Sequence, residues 1–235
     1  MGGSAGDMGG SAGEQDGAGK LEVERKYAVD AGFQVPDLSG VPAVAAVTSP
    51  RTYHLTAVYF DTEGFDLASA KITLRRRTGG TDDGWHLKLP AGTARREVHA
   101  PLGPGDEPVP AELTGRVSAW LGQQQLRPIA RLRTTRTVRH LMDGDGQVLA
   151  EVADDQVAGS VPAPGEPAAG GPDAEAFWQP SSAWREVEVE LDAGGPELLD
   201  AAAAILLAAG ARPSPSASKL SQVLSAARAS PAADG

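Results

Sequence analysis

Polar and apolar residues alternate most clearly in Leu21-Glu22-Val23-Glu24-Arg25-Lys26-Tyr27, and this pattern is typical of a β-strand. In a β-strand, alternate side chains point to opposite faces, so Glu22, Glu24 and Lys26 share one face and the apolar residues share the other. Two carboxylates and an ammonium exclude an ordinary apolar core on their side. That side faces either solvent or a charged ligand such as a metal ion or a polyanion, and this stretch alone leaves both alternatives open.

The same alternation of polar and apolar residues recurs along the chain and predicts eight strands in all. They cover residues 20–29, 53–62, 71–78, 84–89, 94–100, 130–142, 148–157 and 184–191. Helical spacing of apolar residues predicts helices over 111–124 and 196–210, and a short final helix over 218–228. Strands joined mostly by short connections favour an antiparallel sheet over a doubly wound α/β fold.

Charge on the polar faces is segregated by strand. Carboxylates cluster on the first, seventh and eighth predicted strands, and cations on the third, fourth and sixth. If the sheet closes on itself, these faces line an interior with cations on one wall and carboxylates on another. Such an interior would suit a polyphosphate bridged to the carboxylates by divalent cations, because Arg and Lys bind phosphate oxygens and carboxylates are ligands for Mg²⁺ or Mn²⁺.

Composition limits the class of protein. A chain of 235 residues suggests one globular domain, and the absence of cysteine excludes disulfides and Cys-based zinc sites. A net charge of −10 argues against general nucleic-acid binding, which needs a basic surface. We find no secretory signal pattern and no run of about 20 apolar residues, so we expect a cytoplasmic protein without a membrane partner. No Walker A loop or G-x-S-x-G turn supports P-loop or serine-nucleophile chemistry.

Three segments are rich in Gly, Pro, Ser and Ala. Residues 1–19 and 229–235 are predicted to be disordered tails, because they are too poor in apolar groups to offset the entropy of ordering. Residues 159–182 are predicted to be a long Pro/Gly-rich surface loop between two strands. The expected globular unit is therefore a single domain over residues 20–228.

Seven motifs, taken in this order, resemble the CYTH domain family. They are the E-x-E-x-K start at 22–26, Tyr59-Phe60-Asp61-Thr62, Leu74-Arg75-Arg76-Arg77, Leu87-Lys88-Leu89-Pro90, Arg136, Glu186-Val187-Glu188-Val189-Glu190 and Ser218-Lys219. The resemblance covers about residues 20 to 225, and the order of the motifs makes it specific. That family comprises the triphosphate tunnel metalloenzymes, which include inorganic triphosphatases, thiamine triphosphatases and class IV adenylyl cyclases. The resemblance implies an α+β fold in which an eight-stranded antiparallel β-barrel forms a closed tunnel with a few flanking helices.

The resemblance also implies roles for individual residues. The catalytic group would be Glu22, Glu24, Lys26, Glu186 and Glu188. Triphosphate would be bound by Lys26, Arg75, Arg77, Lys88, Arg136 and Lys219, with Arg95 and Arg133 as further candidates. The metal ligands would be drawn from Glu22, Glu24, Glu151, Asp155, Glu186, Glu188 and Glu190.

The expected function is that of a metal-dependent phosphohydrolase that cleaves inorganic triphosphate, or a related triphosphate compound, to pyrophosphate and phosphate. Mg²⁺ or Mn²⁺ would be the cofactor and a small-molecule triphosphate the partner, in a monomer or homodimer. Three alternatives stay open: a class IV-type adenylyl cyclase that makes cyclic AMP from ATP, a thiamine triphosphatase, and a non-catalytic module that binds polyphosphate or nucleotides.

Overall fold

The fold is a curled antiparallel sheet with a few flanking helices, seen in a computed structural model that describes residues 20–92, 94–103, 108–164 and 171–229. The strands are β1 (Lys20–Glu22), β2 (Glu24–Val29), β3 (Ala46–Val47), β4 (Arg51–Asp61), β5 (Thr73–Thr78), β6 (Gly84–Ala91), β7 (Ala94–Ala100), β8 (Arg127–Met142), β9 (Val148–Pro162), β10 (Trp178–Leu191) and β11 (Arg212–Pro213). The helices are α1 (Asp66–Ser69), α2 (Ala111–Leu121), α3 (Pro196–Ala208) and α4 (Lys219–Ala229). Two turns of 3₁₀-helix, Gly171–Asp173 and Glu175–Phe177, precede β10.

The first two strands join the two ends of the sheet. Its strand order is β1-β7-β6-β5-β4-β8-β9-β10-β2-β11, and all pairs are antiparallel. In β1, Glu22 lies opposite Arg95 of β7, and in β2, Glu24 lies opposite Glu190 of β10. Because only Val23 separates β1 from β2, one continuous stretch pairs with both ends of the path and the sheet curls into a barrel. This confirms the predicted antiparallel barrel class.

The strand count differs from the prediction for two local reasons. The first predicted strand is divided at Val23, whose carbonyl oxygen accepts a hydrogen bond of 2.9 Å from Leu191 N while its neighbours pair with different strands. The other additions, β3 and β11, are two residues long, which is too short to show a period of two. The remaining seven predicted strands are all present.

The predicted loop over 159–182 is shorter in the structure. β9 continues to Pro162 and β10 begins at Trp178, and these two residues pair with each other. The prolines do not break the ladder because Pro162 is the last residue of β9 and Pro180 lies where the register shifts, positions that tolerate a missing N–H. Residues 165–170 lie outside the described residues, as do the predicted tail 1–19 and residues 230–235.

Most of the apolar core lies outside the barrel. α3 packs on the outward faces of β2, β9 and β10, where Val187 and Val189 meet Leu199 and Leu206. α1 and α2 cover β5, β6 and β7 in a second cluster. Since the apolar faces point outward to the helices, the charged faces of the same strands point inward.

Two helices matter for the interior. The four-residue α1 is held by Asp61, whose carboxylate accepts hydrogen bonds of 2.9 Å from both Leu67 N and Ala68 N, so this acid of the Tyr-Phe-Asp-Thr motif is structural. α4 inserts Leu220 and Val223 among residues of β4, β8 and β9. This packing fixes the start of α4 at the barrel interior. None of the described helices is long and apolar enough to span a membrane.

Candidate active site inside the barrel

A cavity of about 780 Å³ occupies the barrel interior and is lined mainly by charged side chains. It brings together residues from both ends of the chain, because the barrel places the inward faces of distant strands side by side. The predicted site residues that line it are Glu22, Glu24, Lys26, Arg75, Arg77, Lys88, Arg95, Arg136, Glu151, Glu188, Glu190 and Lys219. Asp155 and Glu186 are buried beside this cavity, and Arg133 lies away from it.

Lys219, the first residue of α4, is held by three buried carboxylates. Its Nζ lies 2.9 Å from Asp155 Oδ2, 2.6 Å from Glu186 Oε1 and 2.6 Å from Glu188 Oε1. Burial alone would lower the pKa of Lys219, but the three carboxylates raise it above its ordinary value. We call this group, Lys219 with Asp155, Glu186 and Glu188, the lysine nest.

The carboxylates of the lysine nest have the chemistry of a metal site. Ligand oxygens of Asp155, Glu186 and Glu188 lie within 4.8 Å of one another, and hard oxygen donors of this kind suit Mg²⁺ or Mn²⁺. The ammonium of Lys219 contacts one oxygen of each, so it supplies the positive charge that the cluster needs. A divalent cation would have to compete with this lysine for the three carboxylates.

Arg136 and Lys26 complete the neutralisation of the nest. Arg136 donates from Nε and Nη2 to the two oxygens of Asp155 at 2.8 and 2.7 Å, and from Nη2 to Glu188 Oε2 at 2.8 Å. The ammonium of Lys26 pairs with both Glu188 and Glu24, and its Nζ lies 3.0 Å from Glu24 Oε1. Burial would raise the pKa of Glu188, but Lys219, Lys26 and Arg136 hold it well below its ordinary value. Glu188 is thus an ionised carboxylate shared by three cations.

A different arrangement lies across the cavity, on β1, β6 and β7. Lys88 Nζ is 2.6 Å from Glu22 Oε2 and 3.8 Å from Glu97 Oε1. Burial, followed by the neighbouring Glu97, raises the pKa of Glu22 to about 7, and Lys88 only partly opposes this. The Glu22–Glu97 pair therefore retains a proton near neutral pH, unlike Glu188.

His86 contacts Glu97 from the neighbouring strand β6. Its Nε2 lies 3.0 Å from the carbonyl oxygen of Asp82, and since a carbonyl only accepts, Nε2 carries a proton there. Its Nδ1 lies 3.0 Å from Glu97 Oε1, a contact that is a hydrogen bond only if a further proton lies between the two atoms. Burial lowers the pKa of His86 to about 4, which favours the neutral ring. Burial alone would raise the pKa of Glu97, but its contacts with His86 and Lys88 hold that pKa below its ordinary value.

The arginines of β5 continue this wall. Arg75 donates from Nη1 to the hydroxyl of Tyr59 at 3.3 Å and lies 4.0 Å from Glu97 Oε1. Arg77 is 6% exposed and pairs with Asp82, on the turn between β5 and β6. Burial, together with Arg75 and Arg136, lowers the pKa of Arg77 to about 9. Three guanidinium groups thus lie close enough to influence one another.

The structure separates Arg133 from the other predicted phosphate ligands. Arg133 lies three residues from Arg136 on β8, and a period of two places residues three apart on opposite faces. Arg133 instead pairs with Glu175 at 2.5 Å, beside Arg131, which contacts the same carboxylate at 2.9 Å. The expectation that Arg133 binds triphosphate is therefore not supported by its position.

Some residues of the site carried no predicted role, among them Glu97, His86 and Tyr59. Glu97 follows Arg95 by two residues on β7, so the same alternation that places Arg95 inward also places Glu97 inward. His86 precedes Lys88 by two residues in the same way. The pattern therefore contained a signal for both. Tyr59 belongs to a quoted motif, but its contact with Arg75 depends on the pairing of β4 with β5.

Sequence comparison gives a family and uncharacterised relatives. The CYTH domain matches residues 20–222 of this chain. The Mycobacterium tuberculosis proteins MT2285 and Rv2226, both uncharacterised, are 45% identical over 215 residues, which is 88% of this chain and 40% of each relative. The chain therefore spans well under half the length of these relatives.

Structural comparison agrees with the observed fold. The crystal structure of a candidate adenylate cyclase from Bacillus halodurans is similar, with a TM-score of 0.56 and 16% identity, over 87% of this chain and 98% of that one. At this identity the likeness concerns the fold.

Proposed function

The chain belongs to the CYTH domain family, and we propose that it is a metal-dependent hydrolase of inorganic triphosphate. The proposed reaction cleaves a terminal phosphoanhydride bond and yields pyrophosphate and phosphate. The observation that carries the proposal is a single cavity in which cations from β2, β5, β6, β8 and α4 face carboxylates from β1, β2, β9 and β10.

The lining of the cavity favours an inorganic substrate. Among the described residues, its apolar members are limited to Val98, Val148, Leu191 and Ala217, and its aromatic ring, Tyr59, is engaged through its hydroxyl by Arg75. A purine or thiazolium ring bound here would therefore meet little apolar surface, with the imidazoles of His86, His99 and His140 as the remaining aromatic rings. A chain of phosphates would instead meet guanidinium forks and ammonium groups, which match phosphate oxygens.

The proposed work of the protein is positioning and charge neutralisation. Arg75, Arg77 and Lys88 would orient the phosphate chain and stabilise the charge that develops on it in the transition state. Lys26 and Arg136 would do the same from the opposite wall once phosphate oxygens compete with their present carboxylate partners. No nucleophilic side chain is needed, because water attacks phosphorus directly in such reactions.

The carboxylates on the cavity surface fit a divalent cation. Glu22, Glu24, Glu188 and Glu190 line the cavity and would hold Mg²⁺ or Mn²⁺ together with phosphate oxygens. Bound metal supplies neutralisation of phosphate charge and activation of water. The side chains of Asp155 and Glu186 would stabilise Lys219 in this arrangement, since its ammonium already contacts both.

A second candidate is an adenylyl cyclase of the class IV type. The observation that favours it is the cavity volume of about 780 Å³, which is in the range that encloses drug-sized organic ligands and exceeds the need of three phosphates. A nucleoside could occupy the remaining space. Product analysis separates the two candidates, because only the cyclase converts ATP into cyclic AMP and pyrophosphate.

The test is a product screen with purified protein and Mg²⁺ or Mn²⁺. Tripolyphosphate, ATP and thiamine triphosphate are supplied separately, and phosphate, pyrophosphate and cyclic AMP are separated by ion chromatography. We expect metal-dependent release of phosphate and pyrophosphate from tripolyphosphate with the highest kcat/KM. If ATP is converted to cyclic AMP with a higher kcat/KM, the protein is a cyclase and not a triphosphatase. If it binds these compounds without converting any of them, it is a non-catalytic binding module.

A matched pair of arginine variants connects the activity to the cavity. Arg75→Gln should lower kcat/KM for tripolyphosphate by about 10²-fold, as loss of one aligned donor to a charged transition state typically does. Arg133→Gln removes the same charge outside the cavity and should stay within about twofold. Equal losses in the two variants would contradict the assignment of the site to the barrel interior.

A further inference from the structure

Arg77 differs from the other buried arginines of the cavity in the kind of partner it has. Its guanidinium is 7% exposed and pairs with the carboxylate of Asp82, which is 53% exposed on the turn between β5 and β6. Arg136 instead pairs with Asp155 and Glu188, which are 0% and 9% exposed and belong to strands. The partners of Arg136 are thus fixed in the barrel wall, whereas the partner of Arg77 can turn into solvent.

The backbone of this turn is anchored independently of the Asp82 side chain. His86 Nε2 donates to the carbonyl oxygen of Asp82 at 3.0 Å, and His99 Nε2 lies 3.2 Å from the carbonyl oxygen of Asp83. At its start, Gly79 and Gly80 have φ values of 82° and 100°, a region that glycine adopts without strain. The carboxylate of Asp82 can therefore leave Arg77 by side-chain rotation while the turn keeps its place.

Arg77 requires an anion when the carboxylate leaves. A buried guanidinium without a partner is strongly disfavoured, because it has lost its hydration and gained nothing in return. Arg75 and Arg136 add positive charge close by. A terminal phosphate group carries more negative charge than a carboxylate and offers more oxygens to the guanidinium, so it can replace Asp82 where a weaker anion cannot.

We propose that Asp82 is a specificity-determining residue: its carboxylate occupies the anion position on Arg77, and only a multiply charged phosphate group that reaches Arg77 displaces it. This inference rests on the proposed function in taking a phosphate chain as the ligand. The turn of β5 and β6 then selects phosphate chains long enough and charged enough to compete with an internal carboxylate. Singly charged anions are rejected at this position.

The experiment measures the binding of sodium tripolyphosphate by isothermal titration calorimetry in EDTA, so that metal-dependent turnover is absent. Asp82→Asn should lower Kd by about tenfold, because the ligand no longer competes with a charged partner. Asp83→Asn is the matched control: it removes the same charge from the neighbouring position of the turn, and should change Kd by less than about twofold. In an Arg77→Gln background, Asp82→Asn should have no effect.

Three outcomes overturn the inference. The first is an equal gain in Asp82→Asn and Asp83→Asn, which would mean that general charge and not the Arg77 pair is responsible. The second is weaker binding in Asp82→Asn, and the third is no binding of tripolyphosphate by any variant. Failure of the proposed function gives a different result. If the wild-type protein binds tripolyphosphate but does not hydrolyse it with Mg²⁺, the hydrolase assignment is wrong and the role of Asp82 in binding still stands.

Discussion

The lysine nest and the Glu22–Glu97 pair face each other across one cavity, yet Glu188 of the nest and Glu22 of the pair differ in how firmly they hold negative charge. In the nest, Lys219 and Arg136 lower the pKa values of Asp155 and Glu188 against the effect of burial, while burial raises the pKa of Glu186 in spite of Lys219. In the pair, burial and mutual repulsion raise the pKa of Glu22 to about 7 in spite of Lys88. The number of carboxylates on a wall therefore does not reveal how much charge is available to a ligand. The balance between burial and the cations that reach each carboxylate decides it.

The largest effect should come from removing the cation of the nest. Lys219→Met leaves three buried carboxylates without the ammonium that contacts all of them, so we expect the free energy of unfolding to fall by about 3–5 kcal/mol in EDTA. Urea denaturation followed by circular dichroism measures this change. Added Mg²⁺ should recover part of the loss in the variant and should stabilise it more than it stabilises the wild type.

Lys71→Met provides the control for lysine removal, because Lys71 is exposed and lies outside the cavity. It should change the free energy of unfolding by less than about 0.5 kcal/mol. If Lys219→Met is equally mild in EDTA, the nest does not depend on its lysine and the contrast between the two walls disappears.

A medium effect should appear in the pH dependence of stability through Glu22. Because its pKa is raised from 4.5 to about 7, the folded protein binds more protons than the unfolded chain between these values. This group therefore lowers stability as pH rises from about 4.5 to about 7, by about 3 kcal/mol in total. Glu22→Gln should flatten that slope, measured by urea denaturation in EDTA at several pH values.

Glu24→Gln is the control for the pH experiment, since Glu24 lies on the same strand face and lines the same cavity. It should leave the slope attributed to Glu22 in place. A slope that is equally flat in both variants would show that the proton is not held by the Glu22–Glu97 pair.

The smallest effect concerns the exterior of the barrel, where Glu175 joins Arg131 and Arg133. Hydrogen bonds from these arginines lower the pKa of Glu175 to about 2. Its contribution to stability is therefore present above the unfolded value of about 4.5 and is lost as pH falls towards 2. Glu175→Gln should lower Tm slightly at pH 7, with no change in activity, and the difference from wild type should shrink at pH 3.5.

Glu63→Gln is a suitable comparison for that variant, because Glu63 makes a looser exposed pair of 3.6 Å with Arg127. It should change Tm less than Glu175→Gln does at pH 7. A difference between Glu175→Gln and wild type that stays constant from pH 7 to pH 3.5 would count against the ionised pair.

The alternation of polar and apolar residues predicts the strands and most of the charged side chains that point into the barrel. Where this prediction is wrong or incomplete, the physical reason can be identified. Arg133 was expected in the site although its distance of three residues from Arg136 places it on the opposite face. The same rule predicts that Glu97, two residues after Arg95, points into the barrel. Both placements follow from the alternation of side chains along a single strand, so the sequence alone is enough to predict them.

The lysine nest could not be predicted in the same way. The resemblance implies that Asp155, Glu186 and Glu188 bind metal, and the adjacent Arg185 pairs instead with Asp154 at 2.8 Å. Lys219 reaches them only because Leu220 and Val223 of α4 pack among residues of β4, β8 and β9. The partner of a buried charge is thus decided by tertiary packing, which period-two reasoning does not address.

The division of the first strand at Val23 has a consequence for how the barrel forms. Residues 20–29 pair with β7 on one side and with β10 on the other, so the seam of the barrel joins the start of the domain to a strand that ends at Leu191. Contacts this distant in sequence form slowly, because the loop between them must close first. During synthesis, residues 20–29 cannot complete their pairing until β10 has been made. The edges of β7 and β10 stay exposed until these residues pair with them. The stretch that supplies the site with Glu22, Glu24 and Lys26 is therefore also the closing seam of the barrel, so the site is completed in the same step that removes the sheet's edges.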